Sequence, residues 1–124
     1  MDFLEIFNAK FADMLEDLTI LFGDDTDLTI LRTGFAIARA ASKESAWRVF
    51  RDQVEIPYGQ SVLARDESFF LGNGTFNVGN GDAYALAIVE RVRGAWRTMD
   101  PNNKSAIWKH FILLVQLSQR IPGR

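Results

Sequence analysis

The chain has no cysteine, a single histidine, three prolines in 124 residues and no long hydrophobic run. Each shortage excludes something. Without cysteine there is no disulfide, no thiolate nucleophile and no cysteine-bound zinc, and the chain suits a reducing compartment. His110, standing alone, rules out a multi-histidine metal centre and a cysteine–histidine pair within one chain. Proline occurs only at positions 57, 101 and 122, where it marks helix ends and a helix start. The longest apolar run near the end, Phe111 to Val115, is far below the roughly 20 residues that cross a bilayer. The first residues, MDFLEIFNAKFADMLEDL, are acidic and periodic, whereas a secretory signal needs a basic start and an unbroken apolar stretch. A soluble intracellular protein without a membrane partner is therefore expected.

What is present is helical periodicity. Leu4, Phe7, Phe11, Met14, Leu18 and Leu21 recur at alternating steps of three and four and form one stripe on a first helix. Gly23 follows as its stop, and Asp24, Asp25 and Asp27 offer caps for the next helix. That helix shows Leu28, Leu31, Phe35 and Ala38, and its small residues Gly34, Ala36, Ala38, Ala40 and Ala41 would let another helix come close. Ser42 reads as the cap of a third helix carrying Ala46, Trp47, Phe50 and Val54, which Pro57 should end. A short turn with Val62 and Leu63 and then Phe69-Phe70-Leu71 follow. A Gly/Asn-rich loop over 72–81 interrupts the chain, and Asp82 caps a helix with Ala85, Val89, Val92, Trp96 and Met99 on one face. Asp100-Pro101 opens a last helix with Ile107, Trp108, Phe111, Leu114 and Val115, stopped at Pro122-Gly123. Strand alternation is convincing nowhere. The expected fold is all-α: one domain over 1–124, a compact bundle of five to six helices with one Gly/Asn-rich loop.

Residues able to carry chemistry are few. His110 sits at the edge of the last apolar stripe, where a hydrogen-bonded structural role is the simpler reading. No serine lies in a G-x-S-x-G setting. Counting a calcium loop from Asp25 puts Ile30 and Ala36 where glycine and glutamate are required, so the acids read as caps. The glycine-rich stretch lacks the lysine of a P-loop, and Asn77 breaks the G-x-G-x-x-G pattern. Gly79-Asn80-Gly81-Asp82 opens a helix and could hold an anion, but a connector is the simpler reading. Phe76 and Val78 are apolar within that polar loop. No catalytic residue, metal ligand or cofactor is assigned, and a non-enzyme is expected. The sequons at Asn73 and Asn103 are discounted for want of a secretory signal.

Charge is split along the chain. Residues 1–31 hold eight acids against Lys10, while residues 32–124 hold thirteen bases against eight acids. Opposite charge on the two halves could steer a partner, but the simpler reading puts the acidic first helix beside Arg-bearing helices of the same domain. Arg93 and Arg97, four residues apart, could serve a nucleic-acid-associated module, against which the pI of about 5.3 argues.

Three stretches together resemble a family: Phe22 to Leu28 (FGDDTDL) after an amphipathic helix, Ile56-Pro57-Tyr58 leading to Asp66-Glu67-Ser68-Phe69-Phe70-Leu71, and Trp96 followed by Lys104 to His110 (KSAIWKH). The arrangement is similar to small helical proteins, with no assigned activity, encoded by large nucleocytoplasmic DNA viruses of algae and amoebae. The chain departs from it in the glycine-rich loop after Leu71 and in His110, where an aromatic ring usually stands. The resemblance implies an all-helical fold and a viral origin, with the protein in host cytoplasm or virion. The function expected is that of a non-enzymatic interaction or structural protein, binding a viral or host protein or itself. Asp66, Glu67, Phe69, Phe70 and Phe76 are its candidate docking segment, with the paired aromatics Phe69 and Phe70 as anchors, although completion of the domain's own core by both rings is the simpler reading.

Overall fold

A computed structural model describes residues 2–23, 26–71 and 84–122, the side chains of 84–87 excepted. The Gly/Asn-rich stretch, the sequon at Asn73, Phe76, Val78 and the caps expected at Asp24, Asp25 and Asp82 lie outside the described residues.

Among the described residues every regular element is helical: α1 (Phe3–Leu21), α2 (Thr26–Ala41), α3 (Ser45–Phe50), α4 (Ile56–Leu63), α5 (Ser68–Leu71), α6 (Tyr84–Ala95) and α7 (Pro101–Arg120). A π segment, Arg51–Glu55, joins α3 to α4, and a 3₁₀ turn, Trp96–Thr98, ends α6. The all-α bundle expected from periodicity is the fold observed. No helix among the described residues is long and apolar enough to cross a membrane.

The caps follow local chemistry. Asp2 accepts from the Glu5 amide at 3.1 Å, and Asp100 accepts from the Asn102 amide at 2.7 Å with Pro101 in the first turn. Gly23 takes φ +68° after α1, a left-handed position that disfavours a side chain. Ser42 does not cap α3. That helix starts three residues later behind Glu44, whose side chain makes no capping bond; Ser42 donates its amide to the Ala38 carbonyl and offers its own carbonyl to Ser45.

Pro57 does not end the third helix either. Phe50, Glu55 and Ile56 all hold right-handed helical angles, and the chain coils from Ser45 to Leu63 without a break. The π segment resolves the conflict. Ile56 donates to the Arg51 carbonyl one residue further back than in an α-helix, and that wider turn makes room for the proline ring. Pro57 then stands in the first turn of α4, where its missing N–H leaves little unmet.

The helices close on one continuous core. The α1 stripe supplies Phe7, Phe11, Met14, Leu15 and Leu18, and α7 supplies Ile107, Trp108, Phe111, Leu114 and Val115. Trp47, Phe50 and Val54 come from α3 and the π segment, Val89 and Val92 from α6, and Trp96 from the 3₁₀ turn after it. Phe70 stacks on Trp96 with centroids 4.2 Å apart and meets Trp108 and Phe111 at 5.0 and 5.5 Å. At the crossing of α7 with the π segment, the Trp47 indole donates to Ser118 Oγ at 2.9 Å, and the Ser118 hydroxyl donates to the buried Glu55 carboxylate at 2.7 Å. Gly59 faces Val115 across this contact, where a Cβ would stand at an ordinary packing distance of 3.6 Å.

Candidate functional site

The first candidate to test is the segment following α4. Its residues are explained by the fold itself. The α4 helix ends with the Asp66 amide on the Ser61 carbonyl and the Arg65 amide on the Val62 carbonyl, Arg65 taking φ 54°. Asp66 then caps α5, accepting from the Ser68 amide at 3.0 Å. That bond, joined by one from the Ser68 hydroxyl, holds the Asp66 carboxyl below its ordinary range. Glu67 lies 3.7 Å from Lys104 of α7. Phe69 and Phe70 are 3% and 2% exposed. Both rings are therefore core, the simpler of the two readings of this pair, which corrects their assignment as partner anchors: Phe70 packs on Trp96, Trp108 and Phe111, and Phe69 packs on Phe70 and Phe111. Asp66 and Glu67 remain at the surface in structural roles, and Phe76 lies outside the described residues.

The basic candidates also separate. Arg93 is largely buried and bonds Glu90 at 3.2 Å within α6, while Arg97 is exposed on the 3₁₀ turn. Arg91 lies over the Phe22 ring at 4.5 Å. The structure does not bring Arg93 and Arg97 together as one accessible basic face. His110 has the structural role expected of it: Nε2 stands 2.7 Å from Asp17 Oδ2 and ties α7 to α1. Among the described residues no group of three histidine, aspartate or glutamate side chains is placed to hold a metal.

A different place has the geometry of a site. Between α1 and α2 runs an open groove of about 520 Å³. Its apolar lining is Ala12, Leu15, Phe35, Ala36 and Ala40, of which Ala36 and Ala40 are exposed and run on into the outer side of α2. One wall, from α1, presents Glu5, Asp13 and Glu16; the other, from α2, presents Arg32, Arg39 and Lys43. Periodicity builds both walls. The α1 stripe faces the core, which turns residues 5, 12, 13 and 16 to one flank. On α2, Leu28 and Phe35 point inward, and Phe11 meets Phe35 with centroids 4.8 Å apart to set the helix spacing. At one end Glu5 reaches Lys43 at 3.3 Å and Arg39 at 3.7 Å. There Asn8, buried on α1, donates to the Lys43 carbonyl at 2.9 Å and fixes the turn after α2.

Next to the groove, the outer side of α2 is exposed at Thr26, Thr29, Ile30, Thr33, Ala36, Ile37, Ala40 and Ala41 without a charge among them. Ile30 is 63% and Ile37 67% exposed. A Cβ built on Gly34 would meet nothing within 4 Å, so no described part of the chain packs there. The sequence did show the small residues of this helix and the acid-to-base split along the chain. It also held an overlooked signal: Ile30 and Ile37, seven apart, fall off the Leu28–Phe35 stripe and so cannot share its burial.

Compared with known proteins, the chain matches no family model, no curated protein and no solved structure.

Proposed function

We propose that this is a non-enzymatic interaction or structural protein that binds another protein chain through the face built by α1 and α2. The observation that carries the reading is the open groove with one acidic and one basic wall, continuous with an uncharged outer face of α2 on which Ile30 and Ile37 stand in solvent. Large aliphatic side chains grouped on an exposed helix mark a contact surface, and charged walls on either side set orientation. The three-segment resemblance noted above supports a viral setting, with the protein acting in host cytoplasm or in the virion.

Lysine cross-linking of the full chain in the cells that make it tests the reading, because Lys43 lines the groove and Lys10 stands on the same side of α1 as Asp13. Cross-links from these lysines to another chain are expected in the wild type. The exposed substitution Ala36→Glu, which leaves the core intact, should remove them. Intermolecular cross-links confined to lysines of α7, or unchanged by Ala36→Glu, would defeat the reading.

A further inference from the structure

We propose that the occupant of the groove is a second copy of this chain, related to the first by a twofold axis running along the groove. The proposal rests on the docking face described above and names what fills it. Glu5 bonded to Arg39 and Lys43 sets the start of α1 level with the end of α2, so the two helices run antiparallel. Moving about 16 Å along α1, at 1.5 Å per residue, brings Glu16 level with Arg32. Both line the groove, on opposite walls, and neither makes an ion pair among the described residues. Asp13, beside Glu16, has only Lys10 of its own helix at 3.8 Å.

A twofold axis along the groove keeps every residue at its own level and exchanges the walls. It therefore lays the acidic wall of each copy over the basic wall of the other. Asp13 and Glu16 meet Arg32 of the second copy, and Glu5 meets its Arg39 and Lys43. An axis perpendicular to the groove, in the plane of the face, would oppose acid to acid and base to base, which costs affinity. The charge pattern thus selects one symmetry. The result is a four-helix layer in which every neighbouring pair is antiparallel, an arrangement that helix dipoles favour. Ala12, Ala36 and Ala40 leave room at its centre for the side chains of the opposing walls. The contact is self-complementary, as a closed dimer requires.

The test is a charge swap read by sedimentation equilibrium of the full chain at low salt. The wild type should be dimeric. Asp13→Lys/Glu16→Lys makes the stretch of groove facing Arg32 basic on both sides, and Arg32→Glu/Ala36→Glu makes that same stretch acidic on both sides. Each variant alone should lose self-association by at least about tenfold. Their equimolar mixture should restore a dimer of one copy of each, since a basic groove then meets an acidic one. All altered positions are at the surface, and an unchanged helical circular-dichroism signal checks that each variant is folded; restoration in the mixture is itself evidence that both are. A wild type that stays monomeric at millimolar concentration overturns the proposal, as does a dimer indifferent to either swap or a mixture that fails to associate. If the wild type is monomeric while Lys43 still cross-links to a different protein in cells, the second copy is excluded and the docking face stands. If it is monomeric and Lys43 cross-links to nothing, both fall.

Discussion

Individual residues in this chain hold conformations or charge states that can be tested one at a time. Arg65 closes α4 in the left-handed region, φ 54°, a position glycine occupies without penalty. Among the described residues its guanidinium gives back little, reaching only Ser105 Oγ at 3.4 Å on the surface. Arg65→Gly should therefore stabilise the fold by about 1 kcal/mol, and Gly23→Ala, at φ +68°, should destabilise it by a similar amount, both read from urea midpoints. Next to Arg65, the Asp66 carboxylate accepts from the Ser68 amide and hydroxyl, which lowers its pKa in the folded chain. A carboxyl whose folded pKa lies below its unfolded one adds stability at pH values above the unfolded pKa and loses it as pH falls through the folded one. At neutral pH Asp66→Asn should melt below the wild type. The gap should close as pH drops through and beneath the ordinary aspartate range, and thermal melts from neutrality into acid would show it. A constant gap would mean that the charge of Asp66 adds nothing beyond its shape.

At the scale of elements, the π segment is where local rules and the fold diverge. Pro57 read alone is a stop, since it biases the preceding residue away from the helix and removes a donor. The π turn before it absorbs that conflict and aims Glu55 inward at Ser118 of α7, whose hydroxyl also receives the Trp47 indole. Ser118→Ala would remove the atom that joins three elements inside the core. A loss of about 1–3 kcal/mol is expected, measured by denaturant unfolding. A change of only a few tenths would show that Glu55 and Trp47 are held well enough by their other contacts. The stripes of α1, α2, α6 and α7 were legible in the sequence, because burial of one helix face repeats at a fixed period. The continuity through Pro57 was not, since it depends on a hydrogen bond shifted by one residue. Phe69 and Phe70 were readable only as an apolar pair; which way they face is decided by Trp96, Trp108 and Phe111, far off in sequence. The groove stands between these cases. Its acidic and basic residues were visible as a charge split, but only the antiparallel packing of α1 on α2 sets them on facing walls.

For the whole molecule the question is which forces hold the chain and which would hold two chains. The fold rests on the aromatic and aliphatic core, and Phe70 is a fair probe of it, packed against Trp96, Trp108 and Phe111. Phe70→Ala should cost about 3–5 kcal/mol, a large part of the 5–15 kcal/mol typical of a domain. Lost binding in such a variant would report unfolding rather than lost docking, which is why surface positions such as Ala36 are the ones to alter. The ion pairs of the single chain, among them Lys10–Asp13, Arg39–Glu5 and Lys43–Glu5, are largely in solvent. Pairs of that kind add roughly 0–1 kcal/mol each, so salt should scarcely move the melting temperature of the isolated domain. Association through the groove should behave differently, because it lays two walls of like-signed residues onto their opposites over the length of α1 and α2. Screening shortens the reach of such fields from about 10 Å at 0.1 M ionic strength to about 3 Å at 1 M. Raising salt across that range should weaken self-association severalfold while the helical signal stays constant. Sedimentation equilibrium at a series of ionic strengths decides the matter. Association that strengthens with salt would point to apolar contact through Ile30 and Ile37 in place of the charged walls, and would move the interface from the groove to the outer face of α2.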